Sequence, residues 1–244
     1  MSNTWIILGA TSSMARAFAR AVADRGDGVV LCGRDMEDLN ASAGDAGARG
    51  APVAEAIAFD ARDIESFAPI LTRADALDGT VSVAVFVGSM PPQEEIDADP
   101  GLIAGTIADS YGGPAAFLTA IAPTLEDKGG AVVGVGSVAG DRGRIGNYVY
   151  GSAKAGFHTY LAGLRNRLGR KDVHVVTVKP GFVDTAMTWG LDGMFLVASP
   201  EKVAKDILRA VDKGRNVIYT PFFWWGIMTI IRHIPEPIFK KLSV

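Results

Sequence analysis

The chain has 244 residues, and 24 Lys and Arg stand against 27 Asp and Glu for a net charge of −3. That balance argues against a nucleic-acid partner, which calls for a basic surface, while 48% hydrophobic and 21% charged residues suit a folded chain with a sizeable core. Cys32 is the single cysteine, which excludes a disulfide framework and a thiolate cluster, and no metal-ligating set is expected. In chain order, an apolar run at 5–8 precedes a helix over 15–23, and a run at 29–32 precedes a polar helix over 36–46. Runs at 53–59 and 81–87 flank a helical segment at 64–74. A helix spanning 114–125 leads to a run at 131–135, and a long helix over 151–168 leads to another at 173–178. A short helix at 200–211 and a strand at 216–219 finish the core.

Short continuous apolar runs separated by helices predict strands buried on both faces. The fold class that follows is α/β: a doubly wound (Rossmann) parallel sheet of seven strands with helices on both faces, in a single domain. Residues 1–220 form this unit, and 221–244 are an apolar, aromatic C-terminal extension of it. Ligands of such folds bind outside the carboxyl ends of the strands, so the residues of interest should follow each apolar run.

After the first run come Gly9, Ala10, Thr11, Ser12, Ser13, Met14 and Ala15, opening the first helix. Small residues there let the backbone approach a pyrophosphate and donate its N–H groups. Gly9 is present, but Ser13 and Ala15 stand where a glycine fingerprint has its second and third glycines, and a plain Ser N-cap gives a similar string. At the end of the second run, Gly33 is followed by Arg34 and Asp35. An acidic residue at this point takes the ribose hydroxyls of NAD, whereas an Arg accommodates the 2′-phosphate of NADP. Arg34 therefore points to NADP(H) over NAD(H), against the alternative of a surface Arg on a turn. Asp60, closing the third run, is placed either to meet the adenine or to cap a helix.

Ser137 follows the fifth run; Tyr150 lies thirteen positions beyond it, and Tyr150 and Lys154 sit at i and i+4 on one helix face. A phenol has a pKa near 10, and bringing it towards 7 requires about 4 kcal/mol, which a neighbouring ammonium helps to supply. Tyr150 then exchanges a proton with a carbonyl or alcohol oxygen that Ser137 holds by a hydrogen bond. A Tyr/Lys pair alone means little; combined with the upstream Ser and the glycine turn it is specific.

These residues, together with Val87-Gly88-Ser89 and Pro180-Gly181-Phe182-Val183-Asp184-Thr185, make the sequence similar to the short-chain dehydrogenase/reductase family over essentially its whole length. The resemblance implies that Gly88 borders the cofactor, that Lys154 also bonds the nicotinamide ribose, and that Val183 and Thr185 hold the carboxamide after the Pro180-Gly181 turn. Two departures stand out. Val87-Gly88-Ser89 replaces the family's Asn-Ala-Gly, and Ser110 stands where the family has an Asn completing a proton relay. A hydroxyl at Ser110 can hold a water but lacks the two-way hydrogen bonding of an amide.

Between Gly181 and Ser199 the chain is short and apolar, with Met187, Trp189, Leu191, Met194 and Phe195. It reads either as a lid over a hydrophobic substrate or as a completion of the core, and it has no basic residue to grip a phosphate. Residues 217–231 are apolar, aromatic or small apart from Tyr219 and two threonines, but fall short of the roughly 20 needed to span a bilayer. Trp224 and Trp225 beside cations at Arg232, Lys240 and Lys241 fit either a membrane-interface element or an oligomer interface. Together with Asp141-Arg142-Gly143 and His233-Ile234-Pro235-Glu236, the tail resembles the decaprenylphosphoryl 2-keto-pentose reductase-like bacterial subgroup. That resemblance implies a lipid-linked keto-sugar substrate. The expectation is thus an NADPH-dependent carbonyl reductase, a homodimer or homotetramer, cytoplasmic and peripheral on the inner membrane face. A reductase of a soluble ketone or 3-oxoacyl thioester, or a low-turnover cofactor-binding scaffold, are the competing readings.

Overall fold

The computed structural model describes residues 3–185 and 196–242. Seven parallel strands form one sheet in the order β3-β2-β1-β4-β5-β6-β7. They are β1 (Asn3–Leu8), β2 (Gly28–Gly33), β3 (Ala54–Ala58), β4 (Thr80–Val85), β5 (Ala131–Val135), β6 (His174–Pro180) and β7 (Val217–Thr220). The order reverses between β1 and β4, which opens a crevice at the carboxyl ends of the central strands. The doubly wound class expected from the sequence is therefore the observed one.

The alternation within each strand explains the two layers of helix. In β1, Trp5 and Ile7 face one side and join Phe18 and Val22 of α1 (Ser13–Ala23). That layer also holds α2 (Met36–Ala48) and α8 (Pro200–Asp212). Ile6 and Leu8 face the other side, against Ile70 of α3 (Ala68–Ala76), Phe117 and Ile121 of α6 (Gly113–Lys128), and Phe157 and Leu161 of α7 (Tyr148–Leu168). With no polar face left on these strands, burial of each such side chain contributes about 2 kcal/mol.

Two short helices, α4 (Gln93–Ala98) and α5 (Leu102–Ile107), follow β4 where the sequence pattern gave no helix. Pro100 and Gly101 between them break the periodicity. A π-helical stretch, Ala108–Gly112, then joins α5 to α6.

The tail folds back as α9 (Trp224–His233) and α10 (Glu236–Phe239). Trp224 and Met228 are buried with Val138, so α9 is seated on the turn after β5. No helix among the described residues is long and apolar enough to cross a membrane.

Candidate functional site

The crevice divides into two cavities. One lies over β1 and β2 and is bordered by Gly9, Thr11, Ser12, Arg34, Asp60 and Gly88. Gly9 has φ +74, and a Cβ there would lie 3.1 Å from the backbone of Phe86 and Val87, so the turn requires glycine. Ser12 caps α1 by accepting from the Ala15 N–H at 3.3 Å. The cap is observed, and it does not conflict with the phosphate-turn reading. Helix geometry leaves the N–H groups of the first turn, at Ser13 and Met14, without intrahelical acceptors, just after Thr11 and Ser12 on this cavity's wall. Such a donor set suits an anion, and a pyrophosphate fits it. Met14 itself borders the second cavity, and Ser13 borders neither.

Asp35 turns away from the cavity to cap α2, accepting from the Asp38 N–H at 3.1 Å. Arg34 is left exposed on the cavity wall, and among the described residues it makes no ion pair. Asp60 also borders the cavity and accepts from the Arg62 N–H at 2.9 Å. Asp63, rather than Asp60, caps the 3-10 turn ahead of α3.

The second cavity lies over β5 and β6. Ser137 ends the loop after β5, and its Oγ accepts from the Ala139 N–H at 3.1 Å, which starts a 3-10 turn over Val138–Asp141. Tyr150 and Lys154 lie one turn apart on α7, both buried. Lys154 Nζ donates to the carbonyls of Val87 at 3.2 Å and Val135 at 3.1 Å, and it stands 5.8 Å from the centre of the Tyr150 ring. Ser137, Tyr150, Pro180, Gly181, Val183 and Thr185 border this single cavity.

The electrostatics differ from the sequence expectation. Burial pushes the Tyr150 phenol up to about 12, with the Ser137 hydroxyl pulling against it. Burial also pushes the Lys154 ammonium down to about 8. The dry surroundings disfavour both charged forms, and for Tyr150 that outweighs its polar neighbours. Tyr150 is thus a neutral phenol at neutral pH rather than a group poised near 7.

Ser110, in the π-helical stretch, is fully buried and bonds the backbone of Ser89, donating to its carbonyl at 3.1 Å and accepting its N–H at 3.2 Å. Its proton is committed there. A water at Ser110 can therefore be held only through a remaining lone pair, a narrower role than the sequence allowed. Met187, Trp189, Leu191, Met194 and Phe195, the expected lid, lie outside the described residues.

Behind Ser137 stands a polar group that sequence reasoning missed. His158 Nε2 accepts the Ser137 N–H at 3.3 Å, and its Nδ1 lies 3.9 Å from Asp141. Asp141 also takes Lys179 Nζ at 2.5 Å and the Tyr219 hydroxyl at 2.7 Å. Burial, and after it the Lys179 charge, hold His158 down at about 3, so it is a neutral acceptor. A signal existed: His158 follows Tyr150 and Lys154 at the same four-residue spacing, on one face of α7.

The tail closes this end. A Cβ on Gly181 would fall 1.9 Å from Trp224 Nε1, so glycine at 181 is what admits the indole. Arg142 donates to the carbonyls of Ile231 at 2.6 Å and Ile234 at 2.7 Å, ending α9, and pairs with Glu236 at 2.8 Å. Its guanidinium also lies 3.6 Å from the centre of the Phe239 ring. Trp224 and Trp225, read from the sequence as one pair, have opposite fates. Trp224 borders the cavity, and Trp225 faces outward.

Comparison with known proteins agrees with this architecture. Residues 3–194 match the family model described as short chain dehydrogenase. An uncharacterized oxidoreductase of Mycobacterium tuberculosis is 30% identical over 239 residues, covering 97% of this chain and 96% of that protein. A short-chain dehydrogenase from Burkholderia cenocepacia, solved in complex with NADP, superposes with a TM-score of 0.85 at 21% identity, covering 100% and 98% of the two chains. One from Sphingobium yanoikuyae in complex with NADPH gives 0.80 at 23%, covering 97% of each. The chain belongs to the short-chain dehydrogenase family and is an oxidoreductase.

Proposed function

We propose that this family member is an NADPH-dependent carbonyl reductase in which Tyr150 protonates a ketone oxygen that Ser137 also holds, with Lys154 supplying positive charge beside them. The observation that carries the reading is the meeting of Ser137 and Tyr150 on one cavity wall with the Lys154 ammonium 5.8 Å from the phenol ring. When bound, the nicotinamide supplies the hydride. As the carbonyl oxygen gains charge, the Ser137 and Tyr150 hydroxyls donate to it, and the Tyr150 proton then passes to the resulting alkoxide, a stronger base than a phenolate. The phenolate left behind is stabilised by Lys154, which stays largely protonated at pH 7 with its pKa at about 8. A phenol held neutral by burial suits the reductive direction, because it begins the step with its proton in place.

NADP over NAD is supported by Arg34, an exposed guanidinium on the first cavity wall while Asp35 is turned into the α2 cap. Two structures of the same fold are described as complexes with NADP and NADPH. Thr11, Ser12, Ser13 and Met14 would present the turn to the pyrophosphate. Lys154 would hold the ribose, and Val183 and Thr185 the carboxamide.

The substrate proposed is a keto-sugar on a polyprenyl phosphate carrier, met at the cytoplasmic face of a membrane. Its support is the outer side of the tail, where Phe222, Trp225 and Ile230 are 82%, 64% and 70% exposed. Arg209, Lys213 and Arg215 share a groove with Phe222 and Trp225. Aromatic residues flanked by cations suit an anionic bilayer interface, and a second copy of this chain, in a dimer or tetramer, is the competing occupant. A soluble ketone or 3-oxoacyl thioester would need no such face.

The test is a fluorescence titration with NADPH and NADH of the wild type and Arg34→Asp, followed by NADPH oxidation with a ketone panel by the wild type and Tyr150→Phe. Tight NADPH binding weakened by Arg34→Asp, and turnover lost in Tyr150→Phe, support the reading. If neither nucleotide binds, the enzyme reading fails and a low-turnover scaffold replaces it.

A further inference from the structure

Two polar side chains on the wall of the second cavity are left over from the mechanism above. Arg144 and Asn147 come from the loop between the 3-10 turn and α7, and both border the cavity with Ser137 and Tyr150. The Nε of Arg144 is closed off from solvent and has no hydrogen-bond partner, and the Oδ1 of Asn147 is in the same condition. Buried polar atoms without partners are uncommon in native folds, and each costs roughly 1–3 kcal/mol, more when charged. Two on one wall of a cavity, beside two hydroxyls, point to a ligand that completes them.

Asn147 departs from ordinary helix behaviour in the same way. It occupies the N-cap of α7, where an Asn side chain normally accepts from the first turn, yet it makes no cap bond. Its main chain is held on both sides, by Asn147 N–H to the Arg144 carbonyl at 3.2 Å and by Gly151 N–H to its own carbonyl at 2.7 Å. The amide is therefore fixed beside the cavity by the backbone and withheld from the helix end.

Among the described residues, Arg144 also has no carboxylate paired with its charge. The acid nearest in charge terms is Asp141, and its oxygens are taken by Lys179 and Tyr219. Arg142, two residues earlier, has Glu236. The cations bordering or underlying this cavity, Arg144 and Lys154, make no ion pair among the described residues. The phosphate-binding turn and Arg34 belong to the other cavity, so Arg144 is not part of that anion site.

We propose that Arg144 and Asn147 form a substrate subsite for a carbonyl compound that carries an oxyanion and hydroxyl groups, Arg144 gripping carboxylate or phosphate oxygens and Asn147 taking a hydroxyl. A guanidinium presents a planar fork that matches either oxyanion in two parallel bonds. An oxyanion there offsets the uncompensated charge and fixes the carbonyl against Ser137 and Tyr150. The proposal deepens the carbonyl-reductase reading and rests on it for the position of the reacting carbon.

The experiment is calorimetric titration of the NADP-loaded full chain with dihydroxyacetone, dihydroxyacetone phosphate and hydroxypyruvate, for the wild type, Arg144→Gln, Arg144→Lys and Tyr150→Phe. The wild type is expected to bind at least one of the two anionic probes about tenfold or more tightly than dihydroxyacetone. Which one wins tells phosphate from carboxylate. Arg144→Gln is expected to bring that ratio towards one, and Arg144→Lys, with a point charge in place of the fork, to restore part of it. Thermal melting provides the control, since the Arg144 side chain makes no hydrogen bond or ion pair among the described residues and its replacement should leave Tm unchanged or raised. A ratio near one in the wild type, or a ratio that survives Arg144→Gln, overturns the proposal. Tyr150→Phe separates the two readings: it should keep the binding ratio while losing turnover, so a failed reductase and a failed subsite give different results.

Discussion

At the proposed cofactor end of the crevice, Gly9, Arg34 and Asp60 each lie within two residues of a strand end, and Arg34 on that wall is exposed. At the substrate end, the wall is assembled from the β5 loop, α7, the β6 loop and the C-terminal helix, and its ionisable groups are buried. The first end works by surface charge and backbone donors, the second by dryness. In the first, Arg34 stands exposed on the cavity wall, and its proposed role is to choose between NADP and NAD. In the second, removing water raises Tyr150, lowers Lys154 and His158, and makes each unpartnered polar atom consequential.

The contrast can be broken most forcefully at Tyr150. Tyr150→Phe should lower kcat by about 10³, within the range for a lost general acid, with NADPH affinity retained in a fluorescence titration; an active phenylalanine variant would end the proton-donor assignment. Arg34→Asp should act oppositely, weakening NADPH binding on the order of 30-fold, about 2 kcal/mol for a charge-assisted pair, while sparing kcat at saturating cofactor. Because Arg34 is exposed, that loss should shrink as salt rises from 0.05 to about 0.5 M.

A smaller effect is expected behind Ser137. His158→Gln keeps an acceptor for the Ser137 N–H and His158→Leu removes it, so the leucine variant should lose about tenfold in kcat and the glutamine variant less. Their acid stabilities test the same residue. With its folded pKa at about 3, below the unfolded value of 6.5, His158 contributes stability that is complete above pH 6.5 and lost on acidification towards 3. Thermal melts from pH 7 to 4.5 should show wild-type stability falling by on the order of 3 kcal/mol from this group, with a flatter slope in His158→Gln. The smallest effect on the fold belongs to the outer tail. Replacing Phe222, Trp225 and Ile230 by Ser should alter stability by about 0.5 kcal/mol or less per site. Partition onto anionic liposomes should nonetheless drop sharply; unchanged partition with loss of a dimer in sedimentation would assign the face to a second copy.

Legibility followed the same divide. The runs at 5–8, 29–32 and 131–135 read correctly as strands because both of their faces are covered, leaving no polar residue to blur them. The edge strand β3 is half-buried, and its sequence reading ran one residue too far at each end. Ser137, Tyr150 and Lys154 were legible because a strand end and one helical turn suffice to bring them together. Trp224 was not, since its contact with Gly181 joins positions far apart in the chain. Nor were Arg144 and Asn147, which in sequence are a loop cation and a helix cap.

The sequence by itself determined the layers of the fold, the strand ends that carry the site, and the short-range pairs on α7, because hydrophobic period and local spacing are properties of neighbouring residues. Only the tertiary structure decided which groups are dry. Burial depends on what distant segments cover: α9 folded onto the turn after β5, Asp141 taken by Lys179 and Tyr219, and Arg144 without an acid among the described residues. The proton affinities of Tyr150, Lys154 and His158 follow from that covering, since the free energy of a charge is set by its surroundings rather than by its place in the chain.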